Sequence, residues 1–428
     1  MKKLTILILL LSISIIMAAQ QQIQTVHKVK KQETVFGIAK QYGITIDELN
    51  RANPDMQQPD FVLKKGMKLN IPVHEEAQQV KPVAVDPLTQ RVLIGVMLPL
   101  HDLNGDGRRM TEYYRGMLLA IRDLKNEGYN ISLNTWNVAE DDDIRVTLLD
   151  EKASQCDVIF GPLYSKQVKP LADFCQQKGI RMVIPFSISG DDVKTYPQIY
   201  QVYQTQADIY QHSIQEFLHL FGNAHAVFID CNDTSSKKGE FTFPLRKALE
   251  DRGLAYSITN LNNSIETFQK AFDLTRQNVV VLNTGRSPEL GTALQRLDQL
   301  RELLPNVRIS MFGYNEWFLY LKPYQEKLRK NDTYIPSVYD YNAQTAASQR
   351  LEDAYLKYFH TPMQAAIPRF AMTGYDQTMF FVRGMHQYGK SYAGQKPATF
   401  VPVQTPFLFE RQGNGGYQNH NFMLVHFK

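Results

Sequence analysis

Cysteine is nearly missing from this chain: Cys156, Cys175 and Cys231 are the only three in 428 residues. So few exclude a disulfide scaffold, and their spacing fits no zinc motif. Tryptophan is scarcer still, at two. Charge of one sign is also lacking, because 47 Lys and Arg stand against 43 Asp and Glu, a formal +4. Lys2 and Lys3 supply part of that small excess. Nucleic acid needs a clustered basic face, and none is expected here. After the N-terminal residues no apolar run reaches the ~20 residues of a membrane span. No P-loop, His-Glu-x-x-His or nucleophile elbow occurs, and the ten histidines are scattered. No catalytic residue, metal or cofactor is therefore assigned, and the chain reads as a non-enzyme.

Two near-motifs fail on inspection. Asp102-Leu103-Asn104-Gly105-Asp106-Gly107 opens like an EF-hand loop, but the closing Glu is replaced by Tyr113. Gly105-x-Gly107 lacks the third glycine of a dinucleotide fingerprint, since Met110 stands there. A Gly-rich loop over a cleft is the expectation for 102–107.

What is present begins with an export signal. Met1-Lys2-Lys3 precedes the apolar run Leu4 to Met17 and the small residues Ala18-Ala19. A basic start, an apolar stretch too short to span and a small-residue end describe a signal peptide over 1–19. No Cys follows it for a lipid. The mature protein is expected in the periplasm or envelope with no transmembrane anchor. Composition then matters: 43% apolar and 21% charged residues bury real cores. The length allows about two to four domains.

Residues 25–72 read as a βααβ unit. Val35, Ile38, Ala39 and Tyr42 share one helix face. Thr45-Ile46-Asp47-Glu48 is a capping box. Asn53-Pro54 ends the second helix, and Met67 to Ile71 alternates as a strand. The strings HKVKKQETVFGIAKQYGITIDELNRANP and LKKGMKLNIP resemble the LysM family. The resemblance implies binding of N-acetylglucosamine polymers such as peptidoglycan. The implied groove involves Lys31, Gln32, Glu33 and Thr34 after the first strand, and the region from Asn53 and Pro54 before the second. Gln32-Glu33 departs from the family's usual Gly-Asp. Residues 73–90 are polar, carry two prolines and show no periodicity, which marks a linker. As a coil it spans roughly 25 Å.

From residue 91 to 428, apolar strands alternate with amphipathic helices, which predicts α/β architecture with doubly wound parallel sheets. The strands expected are Val92–Leu98, Ile131–Trp136, Asp157–Phe160 and Arg181–Pro185. After a crossing near Ile199–Tyr203 come Ala226–Asp230, Ala255–Thr259, Val279–Leu282, Arg308–Phe312 and Thr333–Val338. Residues 399–427 read as strands around a Gly-rich turn. So many strands split by a crossing predict two lobes. Ligands bind beyond the carboxyl ends of such strands. That rule selects Gly161, Tyr164 and Ser165, then Ser187, Asp142, Asp230, Thr284 and Tyr314.

The strings VLIGVMLPL, YYRGMLLAIRDL, DVIFGPLYSKQVKPLADFCQQKGIRMVIPFS and MTGYDQTMFFVRGM resemble the type I periplasmic binding-protein fold, which includes branched-chain amino-acid receptors. The resemblance implies a small polar ligand, such as an amino acid, peptide or muropeptide, held between the lobes. It places Ser165 first as a carboxylate anchor at a helix N-terminus, Ser187 second, and Asp142 or Asp230 on an ammonium or sugar hydroxyls. The alternative is a non-catalytic regulator or scaffold of peptidoglycan synthesis, partnered by a cell-wall synthase, with bulky Tyr164 filling the site. Cys156 and Cys175 fall at similar heights on a strand and its returning helix. Both a bridge and two free thiols fit that spacing.

Overall fold

The computed structural model describes residues 23–30, 33–42, 44, 46–58, 61, 63–72, 91–186 and 190–428. The expected signal peptide, the linker, Lys31, Gln32, Thr45 of the capping box and Ser187 lie outside the described residues. The described residues up to Pro72 and those from residue 91 onward form two compact units.

The first unit has the expected βααβ order: β1 (Ile23–Lys28), α1 (Val35–Gln41), α2 (Ile46–Ala52) and β2 (Lys68–Pro72). The strands pair antiparallel, with His27 opposite Leu69. Ile38, Leu49 and Ile71 are fully buried in its core. Val35 and Tyr42 pack against that core from the same face of α1, as their spacing requires.

The second unit has two lobes. In the first, the sheet order is β13-β14-β7-β6-β5-β3-β4. Its strands are β3 (Val92–Leu98), β4 (Ile131–Asn137), β5 (Val158–Phe160), β6 (Arg181–Ile184), β7 (Ile199–Gln201), β13 (Phe409–Arg411) and β14 (Tyr417–Asn419). β3 is buried along its whole length, as a central parallel strand covered on both faces must be. Counting helices longer than one turn, this lobe holds α3 (Gly105–Asn126) and α4 (Val168–Lys178). Val168, Leu171, Ala172 and Cys175 are the buried face of α4.

In the second lobe the order is β15-β12-β11-β10-β8-β9. Its elements are α5 (Gln206–Phe221), β8 (His225–Asp230), α6 (Gly239–Glu250), β9 (Tyr256–Asn260), β10 (Asn278–Leu282), α7 (Ser287–Leu303), β11 (Ile309–Phe312), α8 (Leu321–Lys330), β12 (Thr333–Ser337) and β15 (Met423–Phe427). Two further helices, α9 (Ala346–Phe359) and α10 (Phe370–Tyr388), return to the first lobe. There α9 and α10 pack on Leu119 of α3 through Leu351, Tyr355 and Met372.

Two expectations need correction. The Ile199–Tyr203 segment is not only a crossing, because β7 belongs to the first sheet and the chain crosses after it. The C-terminal strands around a Gly-rich turn are present as expected: β13 and β14 pair antiparallel across it, with Phe409 opposite Asn419. β14 lies parallel to β7 in one lobe, and β15 runs antiparallel on β12 in the other. Residues 102–107 are not a loop over a cleft, because Asn104 caps α3 by accepting the Gly107 N–H at 2.8 Å. An asparagine side chain at that position satisfies a helix-start donor. The three thiols are free and buried.

Candidate functional site

Three chain crossings join the lobes: after β7, after β12, and between β14 and β15. Where they run, a cavity of about 360 Å³ opens between the lobes. The first lobe supplies Phe186, just past β6, and Phe370, Thr373 and Gln377 of α10. The crossings supply Val202, Tyr203, Gln204, Val338, Tyr339 and Asn419. The second lobe supplies Ile209, Asn315, Glu316 and Leu319.

Much of the polar lining is already engaged. Gln377 accepts from the Tyr113 hydroxyl at 2.6 Å and donates to the Pro185 carbonyl at 3.3 Å. Asn419 donates to the Val202 carbonyl at 3.1 Å and accepts from the Leu408 N–H at 3.0 Å. Tyr339 is buried, and that burial, with the Glu316 carboxylate nearby, raises its phenol well above the ordinary range.

Of the seven described candidates for this domain, none lines this cavity. On the first lobe, Gly161 follows β5 at φ +141°, with its Cα against the Met97 carbonyl. Tyr164 donates to the Asp106 carboxylate at 3.4 Å. Burial, then the Asp106 and Glu140 carboxylates, push its phenol up to about 12. Ser165 is exposed and opens a short 3-10 turn leading into α4. Asp142 is exposed and accepts the Ala139 N–H at 2.7 Å, which closes a turn.

On the second lobe the candidates gather around the 230–236 loop. Asp230 accepts from the Asn232 N–H at 2.9 Å and the Asn283 amide at 2.8 Å. Thr284 is fully buried and donates to Asp233 at 2.7 Å. Burial raises the Asp233 carboxyl, but donors from Ser235, Ser236 and Thr284 outweigh it and hold the group well below its usual range. Tyr314 is buried and donates to the Leu282 carbonyl at 2.6 Å. Asp230 also borders a groove of about 330 Å³ beside α6, where Phe243 and Ile258 are exposed.

The residues missed were those of the crossings. The signal was available, since a chain that passes between two lobes must border the space between them. In the small unit, Asn53 is buried: its amide donates to the Leu49 and Asn70 carbonyls at 2.8 Å and accepts the Asn70 N–H at 2.7 Å. Glu33 accepts from His27 at 2.8 Å and from the Lys30 N–H at 2.7 Å. Those two bonds hold its carboxyl below the usual range. Both residues therefore brace the candidate groove. Thr34 and Pro54 are exposed beside them. Among the described residues no three His, Cys, Asp or Glu side chains could share a metal, and no helix is long and apolar enough to cross a membrane.

Comparison with known proteins gives two findings. Residues 27–72 match the LysM domain family. The second unit has the fold of the type I periplasmic binding proteins. It is similar to a putative branched-chain amino acid ABC transporter protein from Rhodospirillum rubrum, at TM-score 0.53 and 14% identity over 79% of this chain and 97% of that one. It is also similar, at TM-score 0.40 and 15% identity, to an ABC transporter substrate-binding protein from Desulfitobacterium hafniense in complex with Leu, over 79% and 98%. No curated protein matches the sequence significantly.

Proposed function

We propose that this is a cell-envelope binding protein that holds peptidoglycan through its LysM module and a small ligand between the two lobes of its large domain. The observation that carries this reading is the cavity at the lobe crossings, lined from both lobes and by the connecting segments. Such concave, largely apolar spaces with a few polar groups are where small molecules bind. The strand-end candidates, Ser165 among them, lie outside this cavity, so contact with the ligand falls to the crossings and to Phe186, Phe370 and Glu316. The LysM module and the N-terminal signal pattern support an envelope location.

The test has two arms. The full chain co-sediments with purified sacculi, and a chain lacking 25–72 does not. A panel of amino acids, peptides, muropeptides and neutral amides raises the melting temperature for at least one member, and Val338→Trp, which fills the cavity, removes that rise. Absence of any shift across the panel overturns the ligand arm. The second reading, a regulator of peptidoglycan synthesis without a small ligand, is favoured by Tyr164, whose ring stands at the Gly161–Ser165 turn and reaches Asp106. Enrichment of a synthase over control in a pull-down, with no ligand shift, selects it.

A further inference from the structure

Taking the inter-lobe cavity as the ligand site, we propose that its ligand is uncharged: an apolar body carrying N–H or O–H donors, such as a secondary amide or an alcohol, and not a zwitterion. The claim rests on a count of charge. Among the described residues that line the cavity, Glu316 alone is charged. Its Oε1 takes the Lys238 ammonium at 2.5 Å. Lys238 is 4% exposed and held in place, its ammonium 4.4 Å from the Tyr314 ring centre and 3.5 Å from the Tyr210 hydroxyl. Ser187, Ile188 and Ser189, which follow Phe186 in the chain, add no charge.

The pair is thus neutral before a ligand arrives. A carboxylate entering this space meets no free cation, and an ammonium meets an anion already compensated. Either ion loses its hydration without an equal return. Hydrogen-bond acceptors, by contrast, are in surplus. Glu316 Oε2 and Gln204 Oε1 are both buried without a partner. Both belong to lining side chains, and a buried acceptor left unpaired is costly, so a side-chain turn that brings either oxygen to the cavity wall is stabilised by a ligand donor. The rings of Phe186, Phe370, Tyr203 and Tyr339 supply the apolar wall.

One side chain in four charge states tests this on the full chain by calorimetry: N-acetylphenylalaninamide (neutral), phenylalanine (zwitterion), N-acetylphenylalanine (anion) and phenylalaninamide (cation). The neutral compound is expected to bind at least tenfold tighter than each of the others. Glu316→Gln, which leaves Lys238 uncompensated, shifts the preference toward the anion. Lys238→Met shifts it toward the cation. If either variant fails to fold, the wild-type ranking alone decides. Preference for the zwitterion or either ion overturns the proposal and keeps the cleft reading. Binding of none of the four also overturns the proposal and leaves the cleft reading to its melting screen. Binding that survives Val338→Trp, which fills the cavity, puts the ligand elsewhere and overturns both.

Discussion

At position 161 a side chain has nowhere to go. The residue sits at φ +141°, and an added Cβ would lie 2.2 Å from the Met97 carbonyl oxygen. Gly161→Ala should therefore cost about 3 kcal/mol or more, read as a lower denaturant midpoint at unchanged slope. Asp376 is the opposite case, a polar group with no exposure. Its carboxylate accepts the N–H groups of Val403, Gln404 and Thr405, each at 2.8 Å, and so fastens the 403–405 segment to α10. Burial outweighs those bonds and raises its titration to about 7. The unfolded chain titrates near 4, so between about pH 4 and 7 the folded state holds the extra proton. Its contribution to stability should fall as pH rises through that window, on the order of 2–4 kcal/mol in total. Unfolding curves at pH 5 and pH 8 check this, and Asp376→Asn should flatten the difference. Gly161 was legible in sequence because the turn follows directly on its strand. Asp376 was not, because its partners lie far along the chain and the contact exists only after folding.

Elements meet through the same kind of local fact. α3 and α10 cross at Gly116 and Gly374: a Cβ on Gly116 would collide with the Ala371 carbonyl, and one on Gly374 with the Tyr113 carbonyl. The two resemblance strings YYRGMLLAIRDL and MTGYDQTMFFVRGM therefore carry the two halves of one helix contact. Gly116→Ala and Gly374→Ala should each separate the helices at a cost of about 3 kcal/mol, measured by chemical denaturation. In the LysM module the core is small, and Ile38 is fully buried in it. Ile38→Ala should cost about 3 kcal/mol and abolish sedimentation with sacculi. The strands were readable because buried parallel strands are continuous apolar runs. The β13–β14 hairpin was readable from its Gly-rich turn, but the sheets that β14 and β15 join were not, because partner choice for a short strand depends on which sheet edge is open, and sequence does not display edges.

For the molecule as a whole, the crossings make the cavity, and a ligand in it binds only the folded state. A ligand at a hundred times its Kd should add about 2.7 kcal/mol to unfolding, visible as a shifted denaturant midpoint. The order of strands and helices, the two lobes and the LysM module were written in local patterns: apolar runs, helix faces, caps and turns, which neighbouring residues enforce. The sequence also marked the strand ends on which Ser165, Asp230 and Thr284 lie. Only the tertiary structure decided which side chains face the space between the lobes. Thr284 and Tyr314 turn inward to brace the second lobe, while Phe186, Tyr203, Glu316 and Tyr339 line the cavity. The reason is that local pattern determines what a segment becomes, whereas a cavity is bounded by segments distant in sequence, whose meeting depends on how whole sheets and helices pack.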